Sequence, residues 1–155
     1  MVVTGGGTGG HVYPGLALAE ALVARGHPRS EICWVGSARG MEATVVPAAG
    51  FAAHLLPGRG LQRRLTPENL RIAAHTVLAL VRAFGLVRRL RPRVVVGVGG
   101  YASLPAILAA RMLRIPVVVH EQNAAPGLAN RIAVRLGARP AVALPGTPLR
   151  GAVVT

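Results

Sequence analysis

The sequence predicts an α/β fold built on one parallel sheet, and two observations support that prediction. Short runs rich in β-branched residues alternate along the chain with longer segments of helical periodicity. The runs VVVGV and PVVV are also apolar without interruption, which is typical of parallel strands that are buried on both faces. Alternating strands and helices build a doubly wound, Rossmann-like layer with right-handed crossovers and helices on both faces of the sheet.

The individual elements follow in chain order. Pro14 suits the first turn of the first predicted helix, and Gly26 suits the position just past its end. Strands are predicted at Val2–Thr4, Glu31–Val35, Ala52–Leu56, Arg93–Val98, Ile115–His120 and Ala141–Leu144, with a further strand beginning in residues 152–155. Helices are predicted at Pro14–Arg25, Met41–Ala48, Pro67–Leu90, Leu104–Leu113 and Leu128–Leu136.

The composition restricts the classes of function. The 155 residues amount to one domain, and a hydrophobic content of 52% with a mean hydropathy of +0.47 argues against disorder. All 18 basic residues are arginines, against five glutamates and no aspartate, so the net charge is +13. Such a charge favours phosphates, nucleic acid or an anionic membrane as partners. The absence of lysine excludes a Walker-type phosphate loop, and the scattered glutamates predict no metal site.

The chain shows no signal for secretion or for crossing a membrane. Cys33 lies in a predicted strand and is interpreted as a small buried hydrophobe, compatible with a reducing cytoplasm. No basic region precedes the apolar N-terminal residues, as a leader would require. The longest uncharged window, residues 94–110, is broken by three glycines and a proline. We therefore expect no membrane span, and attachment to a membrane surface stays open.

Three unusual loops follow predicted strands, and in a parallel sheet they meet at the carboxyl edge, where ligands bind. The first loop, Gly5–His11, leads glycine backbone into a helix N-terminus, where free N–H groups favour an anion. The second loop, Gly97–Ser103, repeats the glycines, and the third loop, His120–Asn123, is polar. Any one such loop is equally well explained by chain geometry, but three at one edge favour a binding site.

A nicotinamide cofactor is the first ligand to test, because residues 5–10 match the pattern G-x-G-x-x-G. That fold needs an acid at the end of the second strand to hold the ribose hydroxyls. The second predicted strand runs into Val35, Gly36 and Ser37, and Glu31 stands at its beginning. The glycine pattern is therefore present without the acid that a nicotinamide cofactor requires, and another phosphate-bearing ligand is favoured.

His11 is the candidate general base of this edge. It follows the last glycine of the first loop, and a neutral imidazole there can take a proton from a ligand hydroxyl. Glu121, in the third loop, faces it across the predicted edge and is the second catalytic candidate. His120, the last residue of its strand, is interpreted as structural in the simplest case.

Four segments together resemble a known family. They are GGTGGHVYPGLALAEAL, GSARGMEATVVPAAG, VVVGVGGYASLPAILAA and IPVVVHEQNAAPGLANRIA, and they resemble, in order and spacing, the N-terminal half of the MurG family of bacterial glycosyltransferases. The resemblance implies a two-domain GT-B fold, in which residues 1–155 form the acceptor-binding domain and a separate C-terminal domain binds UDP-GlcNAc. It also implies that residues 1–155 alone are inactive.

The resemblance also implies an activity and the residues that serve it. The family transfers N-acetylglucosamine to undecaprenyl-pyrophosphoryl-MurNAc-pentapeptide (lipid I), inverting the anomeric centre with no covalent intermediate, metal or other cofactor. By motif position, His11 would be the base on the acceptor's C4 hydroxyl and Asn123 would touch the donor. The further substrate-binding candidates are Thr8, Gly9, Gly10, Gly99, Gly100, Tyr101 and Asn130.

The helix predicted from Pro67 is the candidate membrane-facing element, because members of the family reach a membrane-held substrate from the cytoplasm. A basic, partly apolar helix face suits an anionic lipid surface, whereas some of its apolar residues must face the core. The predicted membrane-facing residues are Leu78, Val81, Phe84, Arg82, Arg88 and Arg89, with Arg63, Arg64 and Arg71 adding to the basic rim. The expected location is the cytoplasmic face of the bacterial inner membrane, as a peripheral protein.

Two alternatives remain open at the level of sequence. One is another GT-B enzyme that uses a sugar nucleotide, since glycine loops suit many phosphates. The other is a basic module that binds nucleic acid, which should interleave aromatic with basic residues for base stacking. The chain has only two Phe, two Tyr and one Trp, so nucleic acid is not an expected partner.

Overall fold

The computed structural model describes residues 1–57 and 68–155, with side chains described for all of these except residues 68–76. Its centre is one seven-stranded parallel sheet of order β3-β2-β1-β4-β5-β6-β7. In register, Val2 of β1 pairs with Cys33 on one side and with Val95 on the other. The strands are β1 (Val2–Thr4), β2 (Cys33–Ser37), β3 (Ala52–Leu56), β4 (Val95–Gly97), β5 (Val117–Glu121), β6 (Arg139–Val142) and β7 (Val153–Val154).

Helices cover the two faces of this sheet. In the described residues they are α1 (Gly9–Ala24), α2 (Glu42–Ala48), α3 (Glu68–Leu90), α4 (Leu104–Met112) and α5 (Leu128–Arg135), with short 3₁₀ turns at Arg29–Glu31 and Tyr101–Ser103. One core cluster joins α1 and α2 to Val3 and Trp34. The other joins α3, α4 and α5 to Val95, Val117 and Val119. The strand order reverses between β1 and β4, so the chain has the predicted doubly wound architecture.

The sequence prediction is confirmed for the fold class and for each element that lies in the described residues, with shifted boundaries. The largest shift is in α1, which begins at Gly9 rather than at Pro14. The N–H groups of His11 and Val12 already bond to the carbonyl of Thr8, so the first loop enters the helix directly. Pro14 therefore lies inside α1 and forgoes one helical hydrogen bond. Gly26 takes the expected position, with φ of 91° just past the helix end.

Other boundaries moved by one or two residues, within the fraying of element ends. Strand β2 runs to Ser37, two residues beyond the prediction, and β5 runs to Glu121, one residue beyond it. The extension of β5 carries that strand into the third candidate loop. The predicted start of α3 at Pro67 lies outside the described residues, as do Arg63 and Arg64.

No helix in the two described ranges is long and apolar enough to span a membrane.

Gly15 of α1 offers a test of the packing between α1 and the sheet. A Cβ at this position would lie 2.4 Å from Cη2 of Trp34 and 3.1 Å from Cγ2 of Val98. We expect Gly15→Ala to lower the free energy of unfolding by about 1–3 kcal/mol, because overpacking outweighs the helix preference for alanine. Urea unfolding of the chain followed by circular dichroism measures the change.

Gly85→Ala is the matched control for that substitution. Gly85 lies in α3, and a Cβ there would meet no described atom within 4 Å. The same change should therefore raise the free energy of unfolding by roughly 0.5–1 kcal/mol. A change in the free energy of unfolding with the same sign in both variants would contradict the packing argument.

Candidate functional site

The three candidate loops meet as the sequence predicts. Strands β1, β4 and β5 are adjacent and parallel, so their carboxyl ends release the first, second and third loops side by side. The first and second loops touch through their backbones: the N–H of Gly6 donates to the carbonyl of Gly99 over 3.3 Å. Gly100 has φ of 79°, and a Cβ on it would lie 2.2 Å from the carbonyl oxygen of Gly6. Only glycine permits this approach.

His11 lies at the seam between these two loops. Its Nδ1 is 3.0 Å from the hydroxyl oxygen of Thr8. The other edge of the ring covers Gly99, where a Cβ would lie 2.6 Å from Cδ2 and 3.0 Å from Nε2 of His11. The imidazole is half-buried, with Nδ1 engaged by Thr8 and Nε2 on the side of the second loop.

The N-terminus of α1 forms the anion-binding part of the edge. Thr8 holds the N-cap position, but its side chain makes no capping hydrogen bond to the helix, because its hydroxyl is paired with His11. Thr8 and Gly10 are exposed. The positive end of a 16-residue helix therefore faces the edge without a side-chain acceptor of its own, which suits a phosphate group.

Tyr101, a predicted substrate contact, borders this helix end from the second loop. Its hydroxyl donates to the Ser37 hydroxyl oxygen over 3.3 Å. Its ring packs on Gly7, where a Cβ would lie 3.3 Å from Cε1 of Tyr101. Tyr101 therefore connects the end of β2 to the first loop.

The third loop is organised by Glu121. This residue is only 1% exposed, and its carboxylate accepts four hydrogen bonds. The donors are the N–H of Asn123 (3.1 Å), the Nδ2 of Asn123 (2.8 Å), the N–H of Gly127 (2.8 Å) and the Nδ2 of Asn130 (2.9 Å). Burial by itself raises the pKa of Glu121, but these hydrogen bonds outweigh it and the net pKa is lowered.

This geometry changes the interpretation of two predicted site residues. Glu121 is enclosed by its own loop, so it can position that loop and has no open path to a ligand. Asn130 is also 1% exposed, and its Nδ2 bonds to both Glu121 and the carbonyl of His120. Asn123, by contrast, is exposed at the edge. A buried carboxylate is stable only when it is hydrogen-bonded. Asn130 supplies one of these bonds and Asn123 supplies two, so the buried pair Glu121 and Asn130 fixes the position of Asn123.

Sequence reasoning gave Glu42 no role. In the structure this residue of α2 places its carboxylate against Gly6 and Gly7 of the first loop. Glu42 is fully buried, and it accepts the N–H of Gly7 (2.9 Å) and the N–H of Ser37 (2.8 Å). The sequence contained one signal for it, an acid in the first turn of a helix that follows a strand and a glycine turn.

The position of Glu42 corrects the argument made from the second strand. A carboxylate does reach the end of β2, from five residues further along the chain. It nevertheless cannot hold ribose hydroxyls, because it is 0% exposed. The conclusion against a nicotinamide cofactor is unchanged, for a different physical reason.

His120 precedes Glu121 at the end of β5. His120 projects from the opposite face of β5 to Glu121 and lies 3.1 Å from Nε2 of Gln122. Burial lowers the pKa of His120, and the charge of Glu121 opposes this in part. Across the described part of the chain, no group of three or more His, Cys, Asp or Glu side chains is placed to hold a metal ion.

The structure brings one subset of the predicted residues into a single cluster: Thr8, Gly9, Gly10, His11, Gly99, Gly100 and Tyr101. A doubly wound sheet with a helix N-terminus, two touching glycine loops and a histidine at its switch point defines the class. It is a Rossmann-like domain whose carboxyl edge has the helix N-terminus and glycine loops typical of phosphate-binding sites.

The comparison with known families makes the assignment specific. A model described as the glycosyltransferase family 28 N-terminal domain matches residues 1–141. The chain therefore belongs to glycosyltransferase family 28.

Relatives agree with this assignment. A Desulforudis audaxviator protein named UDP-N-acetylglucosamine--N-acetylmuramyl-(pentapeptide) pyrophosphoryl-undecaprenol N-acetylglucosamine transferase is 46% identical over 142 residues, which cover 92% of this chain and 38% of that protein. A protein of the same name from Anaeromyxobacter dehalogenans is 53% identical, over 88% of this chain and 35% of the relative. The chain thus spans between a third and two fifths of the curated relatives it matches.

Solved structures give the same fold. The MurG structure from Acinetobacter baumannii superposes with a TM-score of 0.83 at 32% identity, covering 99% of this chain and 44% of that one. The Streptomyces glycosyltransferase SsfS6 superposes with a TM-score of 0.66 at 20% identity over 99% of this chain and 52% of that one, which shows likeness of fold alone.

Glu121 gives a prediction with a defined pH dependence. Because its pKa is lowered in the folded chain below the ordinary value of 4.5, its charge stabilises the fold above that pH. The stabilisation is lost as the pH falls through the lower folded-state value. Glu121→Gln should cost about 1–3 kcal/mol of unfolding free energy at pH 7, since a carboxamide replaces an acceptor of four bonds.

Urea unfolding at a series of pH values checks this prediction. The difference between wild type and Glu121→Gln should shrink as the pH falls below 4.5. Glu31→Gln, an exposed control, should show little difference at any pH. A Glu121→Gln deficit that is independent of pH would contradict the role given to the charge.

Proposed function

We propose that this chain forms the acceptor half of an enzyme that transfers N-acetylglucosamine from UDP-GlcNAc to the C4 hydroxyl of MurNAc in lipid I, giving lipid II for peptidoglycan synthesis. The observation that carries the proposal is the position of His11, beside the open N-terminus of α1 and against Gly99 of the second loop. The names of the curated relatives and the structural likeness to a MurG support the choice of substrates.

The acceptor is proposed to bind along the carboxyl edge. Its pyrophosphate lies at the N-terminus of α1, where Gly9 and Gly10 present backbone N–H groups and no side chain obstructs close approach. Gly99 and Gly100 give the sugar or a second phosphate the same close approach on the other side. The bound pyrophosphate then fixes the MurNAc C4 hydroxyl near His11.

The chemical step is a single displacement. The acceptor C4 oxygen attacks C1 of GlcNAc, the bond between C1 and the UDP β-phosphate oxygen breaks, and UDP leaves with the electron pair. The hydroxyl proton passes to Nε2 of His11. In the required tautomer Nδ1 carries the other proton and donates to the Thr8 oxygen, 3.0 Å away, so Thr8 helps to hold the ring in its basic form. One displacement inverts the anomeric centre.

The third loop is proposed to meet the donor. Asn123 is exposed at the edge, while Glu121 accepts hydrogen bonds from its backbone N–H and from its Nδ2. Asn130 in turn donates to the same carboxylate. Glu121 thereby acts as a positioning residue rather than in proton transfer. Most contacts to UDP-GlcNAc are assigned to a second, C-terminal domain, consistent with the small share of its relatives that this chain spans.

The exposed face of α3 is proposed to lie on an anionic membrane, at the cytoplasmic surface of the bacterial inner membrane. Val81 is 63% exposed and Leu78 is 40% exposed, and Arg82, Arg88 and Arg89 are exposed on the same helix. Phe84, which we expected on this face, packs in part against the core. The apolar contribution therefore comes from Leu78 and Val81 and from Val77, which is also exposed.

The transfer assay tests the proposed base. A chimaera in which this chain replaces the matching segment of the Desulforudis audaxviator relative supplies the rest of the enzyme, with UDP-GlcNAc and a lipid I analogue as substrates. His11→Ala should lower kcat roughly 10²–10⁴-fold, the usual contribution of a general base. His27→Ala, an exposed histidine past the end of α1, should leave kcat unchanged.

Three results would count against the proposal. Unchanged kcat in His11→Ala would remove the general-base role. Transfer by the chimaera only to acceptors other than lipid I would favour another GT-B enzyme. Salt-sensitive RNA binding by the chain with no binding of lipid I would favour a nucleic-acid module, whose affinity falls steeply with salt.

Liposome flotation tests the membrane surface. Replacing Arg82, Arg88 and Arg89 together by glutamine should weaken binding to anionic vesicles by roughly 100-fold, because each arginine near the surface contributes about 1 kcal/mol. Replacing the exposed Arg25, Arg114 and Arg139 makes the same change in net charge elsewhere and should have a smaller effect. Equal losses in the two triple variants, or equal recovery of wild type in neutral and anionic vesicles, would contradict the assigned face.

A further inference from the structure

We propose that Glu42 is a positioning residue whose buried carboxylate fixes the first loop and, through it, Thr8 and His11. The inference rests on the proposed function, because it concerns the geometry which that transfer needs. Glu42 is 0% exposed. One carboxylate oxygen accepts the N–H of Gly7 and the other accepts the N–H of Ser37, so the side chain ties the end of β2 to the loop that follows β1.

Three glycines enclose this carboxylate. A Cβ on Gly6 would lie 2.1 Å from Cδ of Glu42, one on Gly36 would lie 2.5 Å from Cγ, and one on Gly40 would lie 2.0 Å from Oε2. No other residue type fits at these positions without moving the Glu42 side chain. The glycines therefore form a closed cradle whose shape matches a glutamate.

The carboxylate belongs to a closed ring of contacts around Gly7. Ser37 donates its N–H to Glu42 and accepts the hydroxyl of Tyr101 at its side-chain oxygen. The ring of Tyr101 returns to Gly7 and packs on it. Gly7 is thus held by a hydrogen bond to Glu42 and by packing against Tyr101, and both of these side chains are hydrogen-bonded to Ser37.

The restraint on Gly7 passes directly to the catalytic histidine. Gly7 is bonded to Thr8, whose carbonyl accepts the N–H of His11 over 3.1 Å. The side-chain oxygen of Thr8 lies 3.0 Å from Nδ1 of the same histidine. Thr8 is otherwise exposed and makes no helix-capping bond with its side chain. Its position therefore depends on the backbone that precedes it.

Glutamate is the residue that satisfies both donors. Glutamine would offer one oxygen and one NH₂ group, so that one backbone N–H would face another donor. Aspartate is one methylene shorter, so its carboxylate would lie further from the two amides that Glu42 reaches from α2. The charge also strengthens the two hydrogen bonds, because bonds to an ionised acceptor are shorter and stronger than neutral ones.

The first test uses the isotopically labelled chain and does not depend on activity. Glu42→Gln should shift the amide resonances of Gly7, Thr8 and His11, while Glu31→Gln, an exposed control, should not. Gly40→Ala, which displaces the carboxylate and keeps its charge, should shift the same set. Changes confined to residues 36–43 in both Glu42→Gln and Gly40→Ala would overturn the proposal.

A measurement on wild type covers the case in which the variants do not fold. In native-state hydrogen exchange, the amides of Gly7 and Ser37 should open together, with the same dependence on denaturant. Exchange of Gly7 at the rate of an unprotected loop amide, while Ser37 stays protected, would overturn the proposal.

The second test is a double-mutant cycle in the transfer chimaera. Glu42→Gln should lower kcat/KM for the acceptor at least tenfold, with KM for UDP-GlcNAc within twofold of wild type. Combined with His11→Ala it should add little, because two residues that act as one unit have non-additive effects. Losses that multiply in full would show that Glu42 acts independently of His11 and would overturn the proposal. An inactive wild-type chimaera would count against the proposed function, while the amide shifts still decide the role of Glu42.

Discussion

The close approach of two backbones is the constraint on which the rest of this structure depends. Gly6 and Gly100 bring the first and second loops together without side chains between them, with the N–H of Gly6 bonded to the carbonyl of Gly99. Because the loops touch, the ring of His11 can rest on Gly99 and the N-terminus of α1 faces the same edge. Larger residues at Gly6 or Gly100 would push the second loop away from the first, so that Gly99 would no longer lie against His11 at the N-terminus of α1.

The two buried glutamates of this basic chain have the same structural role, which is to accept backbone N–H groups of the loops. The chain has five glutamates against 18 arginines, and two of the five, Glu42 and Glu121, are buried, Glu42 against the first loop and Glu121 in the third. Each carboxylate accepts backbone N–H groups that would otherwise be unpaired. Charge-assisted bonds of this kind restrain irregular backbone strongly. The edge is therefore preorganised from beneath by anions, while its exposed surface stays open to an anionic ligand.

Sequence reasoning was most successful where a pattern is local or fixed by topology. The period of the apolar residues predicted the strands and helices, and parallel topology alone predicted that the first, second and third loops would meet. The resemblance to the family, from motifs in order, was confirmed by the family match. Sequence reasoning was less successful for Glu121 and Asn130, which it assigned to catalysis and substrate binding and which are buried beneath Asn123. It gave no role to Glu42, because the partners of a carboxylate come from neighbouring loops and not from spacing along the chain.

The sequence by itself determined the α/β class, the strand–helix order, the basic surface and the family, because these depend on residue type and periodicity, which survive in a linear pattern. Only the tertiary structure decided that α1 starts at Gly9, that Phe84 faces the core in part, and that Glu42 closes the first loop. The physical reason is the same in each case: burial and hydrogen-bond partners come from residues distant in sequence. For Glu42 those partners, Gly7 and Ser37, become neighbours only when β1 and β2 pair.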